Sequence, residues 1–461
     1  MNRNKGLNKE MIATILTLAW PTMLEQLMQT AVQYIDTAMV GVLGTQATAA
    51  VGATATVNWL VMGTVSALGV GFLSYIAQAL GAGDREKASS ATAQAALVTL
   101  TAGIFFTGLT LGVGSFIPTW MQVDESIRPM AGRYFLILYS PMLFRTATVI
   151  FGTLLRAAGD TRSPMRNGIM VNVLNVTLNF LLIYPTREIS LWGWEFMMPG
   201  AGWGVEGAAA ASAIAFAAGG IRITWVLWRH PLLSPRGQSW KPDRTILKTC
   251  MKTALPNMFQ RFGTSLGYVA FASMVNSLGD TSTAAHTIAN TVESAFYIPG
   301  YGMQTAAATL AGNAFGARDR KRLEDVANMF LPLEVALMTV SGAALFFLAP
   351  PLVQLFSKDP EVTRLGVTVL RMVAVSEPFY GFPIIMEGLM LGVGNTKKPF
   401  VYNILGMWGV RIVGTWICTQ LLSFGLVSAW GCMIAHNLTL FVLFFLCWRG
   451  KRWNPLTAGG K

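Results

Sequence analysis

The chain has 461 residues, of which 53% are hydrophobic and only 12% charged, with a formal net charge of +12. Soluble globular domains average about 25% charged residues, so this composition, with its mean hydropathy of +0.49, excludes an ordinary soluble protein. Apolar stretches of roughly 20 residues recur along the whole length, the mark of a polytopic helical membrane protein. The basic excess sits in short loops between those stretches, where it sets orientation in the bilayer and does not form a nucleic-acid surface.

The first ten residues are polar and basic, and a long apolar run follows them without a small-residue cleavage site. A retained first span is therefore expected, not a cleaved signal. Twelve spans follow, near 12–40, 46–80, 90–118, 129–155, 164–185, 204–228, 247–278, 283–314, 326–350, 366–392, 398–423 and 426–448. Span 1 carries Thr22, Glu25, Gln29, Gln33 and Asp36 at steps of three or four, so they share one helical face. A charged side chain near the bilayer centre costs at least about 2.5 kcal/mol, so such a stripe must face other helices or water. Span 5 repeats the pattern with Asn172, Asn175 and Asn179. Pro21, Pro141, Pro256, Pro299, Pro378 and Pro383 fall inside spans, where each removes a helix hydrogen bond and can kink it. The four cysteines show no Cys-x-x-Cys spacing and are expected to serve as small packing residues.

Loop charge alternates along the chain. The N-terminus, the loops near 81–89, 156–166, 229–248, 315–325 and 393–398, and the C-terminus hold 23 Lys and Arg. The intervening loops near 41–45, 119–128, 186–203, 279–282, 351–365 and 424–425 hold only Arg128, Arg187, Lys358 and Arg364. Both termini are thus expected in the cytoplasm. The longest basic loop divides the chain into a lobe at 1–228, a linker at 229–246 and a lobe at 247–461.

The two lobes repeat each other. A shift of 235 residues lays Pro21 on Pro256, Thr48-Ala49-Ala50 on Thr283-Ala284-Ala285, Gly81-Ala82-Gly83-Asp84-Arg85 on Gly316-Ala317-Arg318-Asp319-Arg320, and Gly159-Asp160-Thr161 on Gly394-Asn395-Thr396. Six spans per copy is an even number, so both copies share one orientation. An axis along the membrane normal should relate them, with a cavity between the lobes.

These motifs are recognisable. The segment from Ile35 to Gly41, the GAGDREKA and GARDRKRLED loops, LLRAAGDTRSPM after span 4 and SEPFYGFPIIMEGLMLGVGNTKKPF through span 10 resemble the multidrug and toxic compound extrusion family. Its superfamily also contains lipid-linked oligosaccharide flippases. The resemblance spans essentially the whole chain. It implies an all-α protein of twelve transmembrane helices in two six-helix lobes related by a pseudo-two-fold axis. It also implies export of organic cations and drugs across the cell's inner membrane, driven by inward flow of H+ or Na+, with no other cofactor and with a monomer as the working unit.

Asp36 matches the family's span-1 acid. With Asn172, Asn175 and Asn179 it would give the hard-oxygen surroundings suited to a proton or a weakly held Na+. Asn179 stands where many relatives carry an acid, which leaves the coupling ion open between H+ and Na+. In the second lobe, span 7 offers Gln260 and Arg261 but no carboxylate, so Glu377, Glu293 and Glu387 are the candidate acids. Arg261 is placed to neutralise one of them, and Arg145 and Arg411 are expected to be paired or to face the cavity. Glu25, Gln29, Gln33, Tyr34, Tyr139, Gln260, Glu293, Met303 and Glu377 are the expected cavity and cargo residues. Aromatic faces attract organic cations and methionine adapts to varied shapes.

Other classes lack their residues. No GxxxxGK[ST] loop serves an ATP-driven pump, and no HExxH pair serves an intramembrane metallohydrolase. A flippase-like exporter of a lipid-linked or other amphiphilic metabolite remains the alternative within transport. It would require a more cationic cavity than this balance of buried acids and arginines provides.

Overall fold

The computed structural model describes residues 2–120, 124–191 and 194–458. Parts of the loops expected at 119–128 and 186–203, and the end of the C-terminal tail, lie outside the described residues. In order, the elements are α1 (Asn2–Gly41), α2 (Thr45–Gly81), α3 (Arg85–Val113), α4 (Ile117–Trp120), α5 (Arg128–Tyr139), α6 (Met142–Ala157) and α7 (Arg162–Leu182). A hairpin of β1 (Pro185–Leu191) and β2 (Trp194–Ala201) precedes α8 (Gly204–Arg229). The second half comprises α9 (Arg244–Asn276), α10 (Asp280–Gly316), α11 (Arg320–Phe356), α12 (Pro360–Gly392), α13 (Lys397–Ile404), α14 (Val413–Trp416), α15 (Leu426–Arg449) and α16 (Pro455–Ala458). A π-helical stretch at Leu405–Ile412 joins α13 to α14, and a second at Ile417–Leu421 extends α14, which makes one continuous helix.

Each of the twelve expected spans corresponds to one helix or to one joined run. The fourth is α5 plus α6, which meet at a 50° bend. The bend lies at Pro141, which has no N–H to donate into the preceding turn. At Pro21, Pro256, Pro299, Pro378 and Pro383 the helix continues through the proline. Among the described residues eight helices are long and apolar enough to cross a membrane, and α5–α6 makes a ninth. The helices α7, α9 and α10 fall short of that test. They carry, among other polar groups, the three asparagines, Gln260 with Arg261, and Glu293 with Gln304.

The 235-residue repeat is visible in the helix ends. Gly41 and Asn276, Thr45 and Asp280, Gly81 and Gly316, Ala157 and Gly392, and Arg162 and Lys397 are equivalent termini. The β1–β2 hairpin lengthens the first half, and the common register is lost after it. The GAGDREK and GARDRKR motifs are the same turn built twice. Gly83 and Arg318 both take a left-handed conformation, at φ +78° and +54°. Asp84 and Asp319 then cap the next helix, each accepting a backbone N–H, from Lys87 and from Arg322, at 2.9 Å. Such capping satisfies amides that the first helical turn leaves without partners.

The halves are joined by exchange of their first helices. The basic end of α1 places Ile15 and Ala19 in the apolar core built from α10, α11, α12 and α15. Reciprocally, the basic end of α9 places Ile246 and Cys250 in the core of the first six spans. The pairs α1–α10 and α2–α9 are symmetry equivalents, and α2 packs on α10 across the axis. Near the basic loops the backbones come very close: a Cβ on Gly316 would overlap the Gln78 carbonyl, and one on Gly81 the Asn313 carbonyl. Cross-lobe hydrogen bonds also come from the equivalent residues Ser74 and Thr309, from Ser74 Oγ to the Gly392 carbonyl and from Thr309 Oγ1 to the Arg156 carbonyl, both 3.1 Å, with the acceptors one residue out of register. The lobes are thus clasped at the end that carries the basic loops.

Overpacking of a tight contact costs about 1–3 kcal/mol. Gly316→Ala is therefore expected to lower the thermal unfolding midpoint and to increase labelling of a cysteine introduced beside the clasp. An unchanged midpoint with unchanged labelling would show that the lobes do not depend on this approach.

Candidate functional site

Asp36 lies on α1 about one turn from its non-basic end, half-buried against α7. Asn179 Nδ2 donates to its Oδ1 at 2.6 Å. The Asn175 amide, oriented so that both of its ends are satisfied, donates to Oδ1 at 2.8 Å and to Oδ2 at 3.2 Å, while its oxygen accepts from Ser212 Oγ at 2.9 Å. That orientation is assigned from the hydrogen-bond network. One turn away on the same face, Asn172 is buried with an unpartnered Nδ2, and the Asn179 Oδ1 is likewise unpartnered among the described residues. The result is a single carboxylate surrounded by amides. Among the described residues no three His, Cys, Asp or Glu side chains converge as metal ligands. One carboxylate with neutral oxygens suits a proton or a monovalent cation better than a divalent one, which seeks more ligand charge.

The second half holds a different cluster. Glu293 on α10, Glu334 on α11 and Glu377 on α12 are all buried. Both oxygens of Glu334 and the Oε2 of Glu377 have no partner among the described residues. Small residues admit them: a Cβ on Gly300 would collide with Glu334 Oε1, and one on Gly342 would sit 3.1 Å from Glu377 Cβ. Three tyrosines accompany the acids. The hydroxyls of Tyr301 and Tyr380 are 2.9 Å apart, and the Tyr297 ring packs edge-on to Tyr380 at 5.8 Å. Acids beside aromatic faces form a surface suited to an organic cation. Nearer the clasp, Glu387 accepts from Gln260 Nε2 at 3.1 Å, from Gln304 Nε2 at 3.3 Å and from Asn403 Nδ2.

The MatE family model matches this chain twice, over residues 21–181 and 256–417. The chain belongs to the MATE family. The two matched segments begin at Pro21 and Pro256, which the 235-residue shift superimposes. A probable multidrug resistance protein NorM of Thermotoga maritima is 26% identical over 446 residues, covering 96% of this chain and 94% of its own length. A crystal structure of MATE in complex with MaL6 superimposes with a TM-score of 0.88 at 22% identity, covering 96% of this chain and 97% of that one. A structure of a multidrug resistance MATE family transporter in the outward-facing conformation gives a TM-score of 0.87 at 23% identity. The chain accordingly has the MATE fold, twelve transmembrane helices in two six-helix lobes related by a pseudo-two-fold axis.

In this MATE chain the structure brings together Asp36, Asn175 and Asn179, and keeps Asn172 in the same stripe. It gathers Glu293 and Glu377 and leaves Gln29 and Gln33 exposed on α1. Tyr34 is exposed, and its hydroxyl reaches the Thr291 carbonyl of the other lobe at 3.3 Å. Three expectations change. Glu25 is not a free cavity acid: both its oxygens lie 2.6 Å from Arg156 Nη2, with the carboxylate only 7% exposed. Met303 packs in the apolar core beside Ala306 and Ala307, because its face of α10 meets the inserted end of α1. Tyr139 is fully buried, stacked on Phe135 at 4.2 Å and donating to Asn58 Oδ1 at 3.1 Å. Arg261 forms no direct ion pair among the described residues, but it lies within electrostatic range of Glu387, the acid it offsets, and donates to Asn257 Oδ1 at 3.1 Å. Arg145 donates to Asn58 Oδ1 at 2.8 Å and lies over the Phe216 ring at 4.5 Å.

Sequence reasoning missed Glu334, although an acid inside the apolar run LPLEVAL is the same signal that drew attention to the other acids. It also missed Tyr297 and Tyr301, which follow Glu293 at steps of four on α10. Ser212 and Asn58 carried no such signal, because their roles come from helices that meet only in three dimensions.

Removing one member of a buried ion pair typically costs about 3–5 kcal/mol, whereas replacing both with apolar groups is close to neutral. Glu25→Ala is therefore expected to be much less stable than Glu25→Ala combined with Arg156→Met. Thermal unfolding of the two variants in detergent checks this order.

Proposed function

We propose that this chain is a secondary active multidrug antiporter that exports organic cations in exchange for H+ or Na+ by alternating access. The reading rests on the Asp36 site: one half-buried carboxylate on α1, held by amides of α7, inside one lobe of a two-lobed MATE fold. Binding of the coupling ion neutralises Asp36 and changes the strength of its hydrogen bonds to Asn175 and Asn179, and hence the packing of α1 on α7. Because α1 also reaches into the other lobe's core, a change at Asp36 is connected to the lobe interface. Glu293, Glu334 and Glu377, with the tyrosines beside them, would take the cargo's positive charge. The names of relatives such as the Thermotoga maritima protein support drugs as cargo. The charge difference between the two sets of loops supports cytoplasmic termini and residence in the inner membrane. The lobes at 1–228 and 247–461, joined by the linker at 229–246, would supply both sides of a cavity from one chain, which supports a monomeric unit, and membership of a transporter family supports a protein with no catalytic role and no cofactor beyond the coupling ion.

The test is export of a fluorescent organic cation from proteoliposomes under an imposed H+ gradient or an imposed Na+ gradient. Native protein is expected to respond to one gradient, and Asp36→Asn to lose that response by at least about tenfold, the equivalent of 1.4 kcal/mol. Native rates in Asp36→Asn would remove Asp36 from the coupling role. Failure of the native chain to move any cation would shift the reading to an amphiphilic or lipid-linked cargo.

A further inference from the structure

The 235-residue shift allows each element of the Asp36 site to be followed into the other lobe. Asp36 falls on Phe271, Asn175 on Val410 and Asn179 on Gly414. None of these offers a side-chain oxygen to a cation. The position is nonetheless charged, because Arg411 enters it from the next residue along. Its guanidinium carbon lies 4.1 Å from the centre of the Phe271 ring and 4.9 Å from that of Tyr268. The side chain is therefore stacked on the residue that replaces the coupling acid. Arg411 is 3% exposed, and its Nε has no partner among the described residues.

The backbone explains how it gets there. In α7 the residue equivalent to Arg411 is Val176, a half-buried apolar side chain that brings neither charge nor hydrogen bond to its lobe. The π-helical stretch Leu405–Ile412 widens the turn and carries residue 411 round towards α9. The charged and titratable groups facing Arg411 come from three helices. Glu293 and His286 on α10 and His436 on α15 lie within electrostatic range, and Tyr268 comes from α9. Among the described residues Glu293 and Arg411 form no direct ion pair, so the guanidinium offsets the acid at a distance, as a bound cation would.

We propose that Arg411 is a tethered cation that permanently fills the second lobe's counterpart of the Asp36 site, so that only the first lobe takes up a coupling ion. This rests on the coupling role of Asp36. It assigns one coupling ion to each transport cycle, and it makes Arg411 a positioning residue that sets stoichiometry without touching the cargo.

The experiment measures cation export against coupling-ion concentration in proteoliposomes for the native chain, Arg411→Lys, Arg411→Gln and Asp36→Asn. The native chain and Arg411→Lys are expected to show a Hill coefficient of one for the coupling ion. In Arg411→Gln the position beside Glu293 loses its built-in charge, and the coefficient is expected to rise towards two as a second ion is admitted. A native chain with two ions per cycle overturns the proposal, as does a folded Arg411→Gln protein that keeps the native coefficient. If Arg411→Gln does not fold, Arg411→Met replaces it, since an apolar side chain can still pack on the Phe271 and Tyr268 rings without the charge. Its coefficient is expected to rise towards two in the same way, and a native coefficient in the folded variant would overturn the proposal. Asp36→Asn separates the two ideas: native ion dependence in that variant sinks the coupling reading, whereas its loss beside an unaltered Arg411→Gln sinks only the role of Arg411.

Discussion

Everything in this molecule depends on how closely α2 and α10 approach across the pseudo-two-fold axis. With Gly81 and Gly316 facing the carbonyls of Asn313 and Gln78, two long helices meet backbone to backbone near the basic loops. Membrane helices gain little from hydrophobic burial against each other, because lipid is equally apolar, so close van der Waals contact through small residues must hold them. The bonds from the equivalent residues Ser74 and Thr309 then close the same end. The reciprocal insertion of α1 and α9 follows from this joint, since each first helix must pass beside the axis to reach the opposite core.

The exchange gives the first helix two environments. Below Pro21, α1 belongs to the second lobe's core through Ile15 and Ala19. Above it, Glu25 is bound to Arg156 and Asp36 to the amides of α7, all within the first lobe. One continuous helix thus joins Asp36 to the lobe interface. The proline lies between the two anchorages, where a missing hydrogen bond is tolerated because neighbouring helices supply the packing.

Symmetry of backbone is combined with asymmetry of charge. Helix ends, turn conformations and capping aspartates are duplicated almost residue for residue, yet the polar contents of the lobes differ. The first lobe has Asp36 among asparagines. The second has Phe271 under Arg411, and three buried acids on α10, α11 and α12. A duplicated scaffold requires the same shape on both sides and leaves the charged side chains free to diverge. That divergence leaves a lone carboxylate among amides in one lobe and a group of acids beside aromatic rings in the other.

The sequence by itself determined the twelve spans, the duplication, the turns at GAGDREK and GARDRKR, and Asp36 with the face of α7 that meets it. These are local or periodic properties: apolar length, a 3.6-residue repeat, and motifs that recur at one fixed distance. What only the tertiary structure decided was which polar groups find each other. Glu25 and Arg156 are 131 residues apart, and no local signal pairs them. Met303 and Tyr139 looked like cavity residues by type, but packing buried both, because burial depends on which helix arrives opposite. The π-helical turns that bring Arg411 over Phe271 were equally hidden, since they alter helical register without altering composition. Pairing across helices is settled by three-dimensional proximity, and a linear pattern records only what each helix offers.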